Sequence, residues 1–251
     1  MTLAPNLTEI VFALGGQDQI LAVSDFSDYP AAARRLPRVG GLETSAERIG
    51  SLRPDLVLAS RDGNPRGVVQ ALEAAGIPVL TVSGESLDAV LDGIRLVGRR
   101  LGRAEEGERL AAELERRRER VRRGVAGLPR PAAVLLVWPD PPQAAGAGTF
   151  LSDVLAEAGA RNLLGDRAGW PLVSAEFLAT APIEALVLPA SVETRRVYEK
   201  ARASGALSRG TAARARVIWV DEASLTRPGP RVFEALESLA RALHSRQDGA
   251  R

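Results

Sequence analysis

From Arg103 to Gly124 the chain reads RAEEGERLAAELERRRERVRRG, a charged stretch near the middle of the sequence with no proline. Leu110, Ala111, Leu114 and Val121 recur there near a 3.6-residue period, which predicts one amphipathic helix. Gly102 precedes it, and Gly124, Gly127 and Pro129 follow, so breakers stand at both ends. Both signs of charge share the stretch, so its arginines read as a solvated helix face rather than a nucleic-acid patch.

On either side of this helix, apolar strand-like runs alternate with helical periods. Before it, the strands are Gln19 to Val23, Leu56 to Ala59 and Pro78 to Val82. The helices are one N-capped by Asn6 or Thr8, then Ala46 to Leu52, Val68 to Ala75, and a face of Leu87, Val90, Leu91, Ile94, Val97 and Leu101. After it, Ala132 to Trp138, Ala185 to Leu188 and Val217 to Val220 read as strands. Helices are expected from Phe150, Ser174, Glu193 and Val232, with loops over 38–42, 139–148, 165–171 and 221–230. Such alternation argues for parallel sheets in α/β layers. The expected organisation is an α/β lobe over 1–102, a linking helix over 103–127 and a second α/β lobe over 128–251. The expected fold class is therefore α/β, with two similar lobes joined by a single long backbone helix. A length of 251 residues suits this, since a domain usually takes about 100–200.

Composition removes several kinds of chemistry. There is no cysteine, hence no thiol nucleophile, and the one histidine, His244, stands near the C-terminus, which nearly excludes a His-rich metal site and a Ser-His-Asp triad in a cleft. Net charge is +2, with 33 basic against 31 acidic side chains, which gives no reason to expect nucleic acid as a partner. No run of 18 apolar residues reads as a membrane span. Thr2 and Leu3 read as the end of a strand whose beginning is missing, with no charged or apolar leader before them. An upstream strand and an export signal are therefore expected in the DNA before Met1, unless the protein is cytoplasmic.

In α/β lobes, ligands bind beyond the carboxyl ends of the strands, and two facing lobes make a cleft. The loops at those ends hold Pro5-Asn6, Phe26 to Tyr29, Gly40 to Leu42 and Arg61 to Asn64 in the first lobe. In the second they hold Trp138, Trp170-Pro171 and Asp221 to Arg227. Aromatics are only 4% of the chain, yet Phe26, Tyr29, Trp138 and Trp170 all fall in or beside these loops. They either offer flat apolar area to a bulky ligand or pack the loops onto the lobes. Trp219, inside a strand, reads as core. Asp25 and Asp28 could form an acid–base pair, but Asp in a polar loop is more often a turn residue. No nucleophile arrangement or Walker motif is present, and Gly40-Gly41 lacks the spacing of a phosphate loop. The halves also echo each other: Ala46-Glu47-Arg48-Ile49 before Pro54 parallels Ala175-Glu176-Phe177-Leu178 before Pro182.

The strings LAPNLTEIVFALG, VSDFSDYP, PRVGG and AERIGSLRPDLVLAS resemble the N-terminal lobe of the periplasmic cobalamin-binding proteins of ABC importers. FLSDVLAEAGARNLL and GWPLVSAEFL resemble their C-terminal lobe, and the likeness runs over essentially the whole chain. These belong to the class of metal-chelate receptors with a helical backbone between the lobes. The resemblance implies two Rossmann-like lobes with little hinge motion, no enzymatic activity, no cofactor and no protein ligand to a metal. Cobalamin is the implied ligand and an ABC permease dimer the implied partner of a monomeric receptor, periplasmic or anchored at the cell surface. The implied ligand contacts are Pro5, Asn6, Phe26, Tyr29, Gly41, Leu42, Trp138, Trp170, Asp221 and Arg227. Gly41 and Leu42 stand where that family often carries a covering Trp, in a loop about one residue shorter. The two docking glutamates fall on Glu47 and Glu176, whose other reading is a first-turn Glu favoured by the helix dipole. A heme or ferric-siderophore receptor is the alternative within the class, with Tyr29 as the one plausible iron ligand. A cytoplasmic α/β enzyme is the alternative outside it.

Overall fold

The computed structural model describes residues 1–41 and 44–245. These form two compact units, Met1–Leu114 with Pro228–Pro230, and Glu115–Arg227 with the chain from Arg231 onward.

The first unit holds α1 (Pro5–Ala13), β1 (Val23–Ser24), β2 (Arg38–Gly40), α2 (Ala46–Ser51), β3 (Val57–Ser60), α3 (Arg66–Ala74), β4 (Val79–Val82) and α4 (Leu87–Arg100). β1 pairs with β2 and β3 with β4, both in parallel. Thr2 joins the pairs by bridging Val23 on one side and Leu58 on the other, also in parallel. Every strand therefore presents its carboxyl end to the same edge of the sheet. Three expectations need correction. Pro5 starts α1 behind Ala4, because its missing N–H costs nothing there. Asn6 and Thr8 do not cap it: the Asn6 amide donates to the Pro228 carbonyl (3.1 Å) and Thr8 bonds other hydroxyls. The strand expected over 19–23 is a 3-10 turn at Gln17–Gln19 followed by the two-residue β1. Conversely, 38–40 is a strand, since β1 supplies the ladder that its glycine does not favour alone.

The core of this unit gathers Leu3, Ala22, Val39, Ile49, Val57, Ala59 and Leu72. Beside it runs a buried chain of hydroxyls: Thr2 to Thr8 (2.7 Å), Thr8 to Ser27 (2.8 Å) and Ser27 to Ser24 (2.9 Å). It ties the loop after β1 to α1 with its polar groups paired.

Helix α5 (Ala104–Val125) realises the central stretch. Where it leaves α4, Gly98 and Gly107 let the backbones touch: a Cβ on Gly98 would lie 3.0 Å from the Gly107 Cα. The second unit continues with β5 (Ala132–Pro139), β6 (Pro142–Ala144), α6 (Phe150–Glu157), β7 (Arg161–Asn162), α7 (Ala175–Thr180), β8 (Ala185–Ala190), α8 (Val192–Ser204), α9 (Gly210–Arg214), β9 (Arg216–Asp221), α10 (Glu222–Thr226) and α11 (Val232–His244). β7 and β8 flank β5 in parallel, β9 extends β8 in parallel, and β6 runs antiparallel to the end of β5. The loop expected over 139–148 thus contains β6, and that over 221–230 contains α10. Both are short elements that exist through tertiary pairing and a cap, with the Asp221 Oδ1 accepting from the Ser224 N–H (2.8 Å).

The arginine run of α5 is not simply a solvated face. Arg118 is buried and forks onto Glu157 of α6, with Nη2 to Oε1 at 2.6 Å and Nε to Oε2 at 2.8 Å. Arg122 reaches the same carboxylate (2.8 Å). Arg117 holds Glu237 of α11 through two hydrogen bonds of 2.9 and 2.8 Å. That bonding keeps the Glu237 carboxyl below the ordinary glutamate range. Its contribution to stability is therefore complete above that range and is lost as pH falls through the depressed value. These bidentate pairs pin α6 and α11 to α5. Glu157→Gln strips the charge facing a buried guanidinium and is expected to cost about 3–5 kcal/mol, read by urea unfolding. A loss no larger than that of an exposed pair, about 0–1 kcal/mol, would show that solvent reaches Arg118.

Candidate functional site

At the carboxyl edge of the first sheet, the loop after β1 carries Phe26 and Tyr29, 55% and 46% exposed. Its backbone is held from below: Arg38 Nη1 donates to the Ser24 carbonyl (2.8 Å) and the Ser27 carbonyl (2.7 Å), and Asp25 N–H bonds the Gly40 carbonyl (3.0 Å). Two large apolar rings are thus presented to solvent on a rigid support. Gly41 lies under Phe26, and a Cβ there would come within 3.4 Å of the ring. Gly40 has φ +120°, and a side chain on it would strike Thr44 Oγ1. Leu42, expected beside them, lies outside the described residues. Pro5 opens α1 at this edge, while Asn6 is buried with its amide N–H bonded to Pro228.

In the second unit, Trp138 sits near the end of β5, its Nε1 donating to the Asp140 carbonyl (2.7 Å). Its ladder partner is Gln143 of β6, whose side-chain amide donates to the Trp170 carbonyl (3.1 Å). Trp170 is 43% exposed and meets Phe150 edge-on at 6.4 Å. Gln143 thus brings together two tryptophans 32 positions apart in sequence. Leu172 beside them is 64% exposed, a member of the same apolar rim, within the GWPLVSAEFL string but not among the expected contacts. Asp221 and Arg227 bracket α10, the first as its N-cap and the second as its C-cap. Trp219 lies against the core, in edge contact with Tyr198 (5.3 Å) and under the Arg195 guanidinium (4.2 Å).

Glu47 and Glu176 occupy matching places. Each is the second residue of a six-residue helix, exposed, two positions after a serine whose hydroxyl caps the helix. For Glu47 the backbone N–H and the Ser45 hydroxyl hold the carboxyl below its ordinary range. Asp25 and Asp28 belong to the loop described above, where the Asp28 carbonyl accepts from Arg34 (3.0 Å). Among the described residues no three His, Cys, Asp or Glu side chains gather as a metal site, and no helix is long and apolar enough to cross a membrane.

A family profile described as periplasmic binding protein matches residues 1–224. The vitamin B12-binding protein of Pectobacterium carotovorum subsp. carotovorum (strain PC1) is 28% identical over 259 aligned positions, covering 100% of this chain and 90% of its own. Among solved structures, the periplasmic heme-binding protein RhuT of Roseiflexus sp. RS-1 superposes with a TM-score of 0.86 at 30% identity, over 97% of this chain and 96% of that one. The periplasmic vitamin B12 binding protein BtuF of Vibrio cholerae does so with a TM-score of 0.84 at 26% identity, over 99% and 97%.

Gln143 is the link to test. Gln143→Ala removes the amide that ties the Trp170 backbone to β6 and should cost about 1 kcal/mol, with increased quenching of tryptophan fluorescence by acrylamide. Unchanged quenching would show that strand pairing alone holds the two rings.

Proposed function

The chain belongs to the periplasmic binding protein family, and we propose that it captures cobalamin or a related corrinoid and delivers it to an ABC importer. The family is one of binding proteins, so the chain is a receptor and not an enzyme, and its place is outside the cytoplasm. A small-molecule ligand and permease subunits are its partners. Residues 1–102 and 128–251 act as the two binding lobes. The observation that carries the ligand reading is the pair of aromatic rims at strand ends, the exposed Phe26 and Tyr29 in one unit, the half-buried Trp138 and the exposed Trp170 in the other. Large flat apolar surface with few charges suits a corrin face, and the aromatic side chains lose little entropy on contact. Gly41 leaves the ring of Phe26 uncovered, and Pro5, Asp221 and Arg227 complete the ligand surface, while Asn6 supports it from below through its bond to Pro228. The likeness to a heme-binding protein keeps heme as the second ligand to try, with the exposed Tyr29 phenol as its iron ligand.

The test is calorimetric titration of the protein with cyanocobalamin, hemin and a ferric siderophore. Cyanocobalamin should bind, and hemin binding alone would overturn the ligand. Trp138→Ala and Trp170→Ala should each weaken binding by about 1–3 kcal/mol as central contacts. If both variants bind normally but melt much lower, the rings are packing residues.

Docking rests on Glu47 and Glu176. Two carboxylates on equivalent capped helices suit a two-fold symmetric partner with basic pockets, and charge pairs of this kind set register. Glu47→Arg or Glu176→Arg should abolish uptake in cells while ligand affinity and the melting temperature stay as they were, and pull-down by the permease should weaken as salt rises. Loss of ligand affinity with docking intact would move these residues to the ligand surface.

A further inference from the structure

The two serine-capped helices differ right after their glutamates. Glu47 of α2 is followed by Arg48, and Glu176 of α7 by Phe177. Arg48 is exposed, and among the described residues its guanidinium has neither an ion pair nor a hydrogen-bond partner. The neighbouring carboxylate does not take it up, because the Glu47 backbone N–H and the Ser45 hydroxyl already bond that carboxylate.

Phe177 carries no charge, yet a guanidinium stands there too. Arg167, in the loop before α7, lays its guanidinium over the Phe177 ring, 5.5 Å from the centroid. The ring is half-buried against the core of the second unit, so it is a fixed platform for the cation. The backbone of Arg167 is pinned as well: its N–H donates to the Leu164 carbonyl (3.0 Å), and its carbonyl accepts from the Ala147 N–H (2.6 Å). Arg167 is exposed, and among the described residues no ion pair links it to the adjacent Asp166 or to Glu176. Both helices are six residues long with the same serine cap, so the residue after the glutamate projects in the same direction from each. The second unit thus reaches with a loop arginine and a ring what the first unit has in one side chain.

We propose that each lobe docks through a carboxylate and a guanidinium together, Glu47 with Arg48 and Glu176 with Arg167, and that each permease pocket they enter carries both a basic and an acidic side chain. The inference deepens the docking reading and rests on it. A pocket of basic groups alone would repel both arginines, whereas an acidic group beside the basic one takes up the forked guanidinium donors. A pocket of one sign accepts a lone carboxylate from many directions. A pair of opposite charges fixes the angle of approach and rejects partners whose charges are placed otherwise.

The sign of one change decides. Arg48→Gln and Arg167→Gln are measured singly for docking of the ligand-free chain to the purified permease dimer of its importer, by biolayer interferometry at low salt, with the thermal midpoint as the folding control. With two-signed pockets, each variant should dock about tenfold more weakly. Arg48→Lys and Arg167→Lys should recover part of that loss. With basic pockets alone, removing a positive charge strengthens docking, which overturns the proposal, and unchanged docking overturns it too. Phe177→Leu keeps α7 apolar but removes the platform. It should weaken docking as Arg167→Gln does and add nothing in that background, and additive losses would overturn the part of the ring in placing Arg167. Glu47→Arg and Glu176→Arg are run beside them. If these reversals leave docking intact, the docking reading fails and the proposal with it. If they abolish docking while the arginine variants do not weaken it, the docking reading stands and the proposal alone falls.

Discussion

Parallel pairing is the constraint on which both units depend. A parallel strand cannot turn back directly into its neighbour, so each must be followed by a crossover, here a helix or a 3-10 turn. In the first unit the pairing passes through a single residue. Thr2 donates to the Ala22 carbonyl (3.1 Å) and accepts from the Ser24 N–H (3.0 Å), while its neighbour Leu3 donates to Leu58 (2.9 Å). The Thr2 hydroxyl then joins the buried chain through Thr8 to Ser27 and Ser24. One ladder thus fixes the sheet, the first helix and the loop that lifts Phe26 and Tyr29 into solvent.

The second unit reaches a comparable result with different means. Its strands are longer, and β5 is almost wholly apolar because sheet partners and helices cover both faces. The antiparallel β6 is the exception, and it turns the chain back beneath the Trp170 loop. Ion pairing at Arg117 and Arg118 then secures α6 and α11 to the long helix. A buried guanidinium of this kind stabilises only while its carboxylate is present, so it specifies which helix docks there more than it adds net stability.

The strand ends share one physical character in both units. The ordered scaffold spends its backbone and small polar groups on itself, leaving flat rings at the strand ends. Asn6 shows the distinction: it lies at the edge, yet its amide is consumed by Pro228. Asn64 does the same in its turn, Oδ1 accepting from the Ser60 N–H (2.8 Å) and Nδ2 donating to the Leu3 carbonyl (3.1 Å). Position at an edge therefore says where a residue stands, and the hydrogen-bond partners say whether it has anything left to offer a ligand.

By itself the sequence determined the α/β class, the long helix, most strands and the strand-end clustering of scarce aromatics, because each is written in local periodicity, breakers and capping residues. The Ser45 and Ser174 caps, and with them the placement of Glu47 and Glu176, were legible for the same reason. Only the tertiary structure decided that 38–40 and 142–144 are strands, since segments this short carry no period of their own and exist through their ladders to β1 and to the end of β5. It alone decided that Arg118 is buried, because a helix does not reveal which carboxylate will meet each arginine of a charged run. It alone joined Trp138 to Trp170 through Gln143. Those contacts depend on side chains separated by a turn of fold, and no local period encodes them.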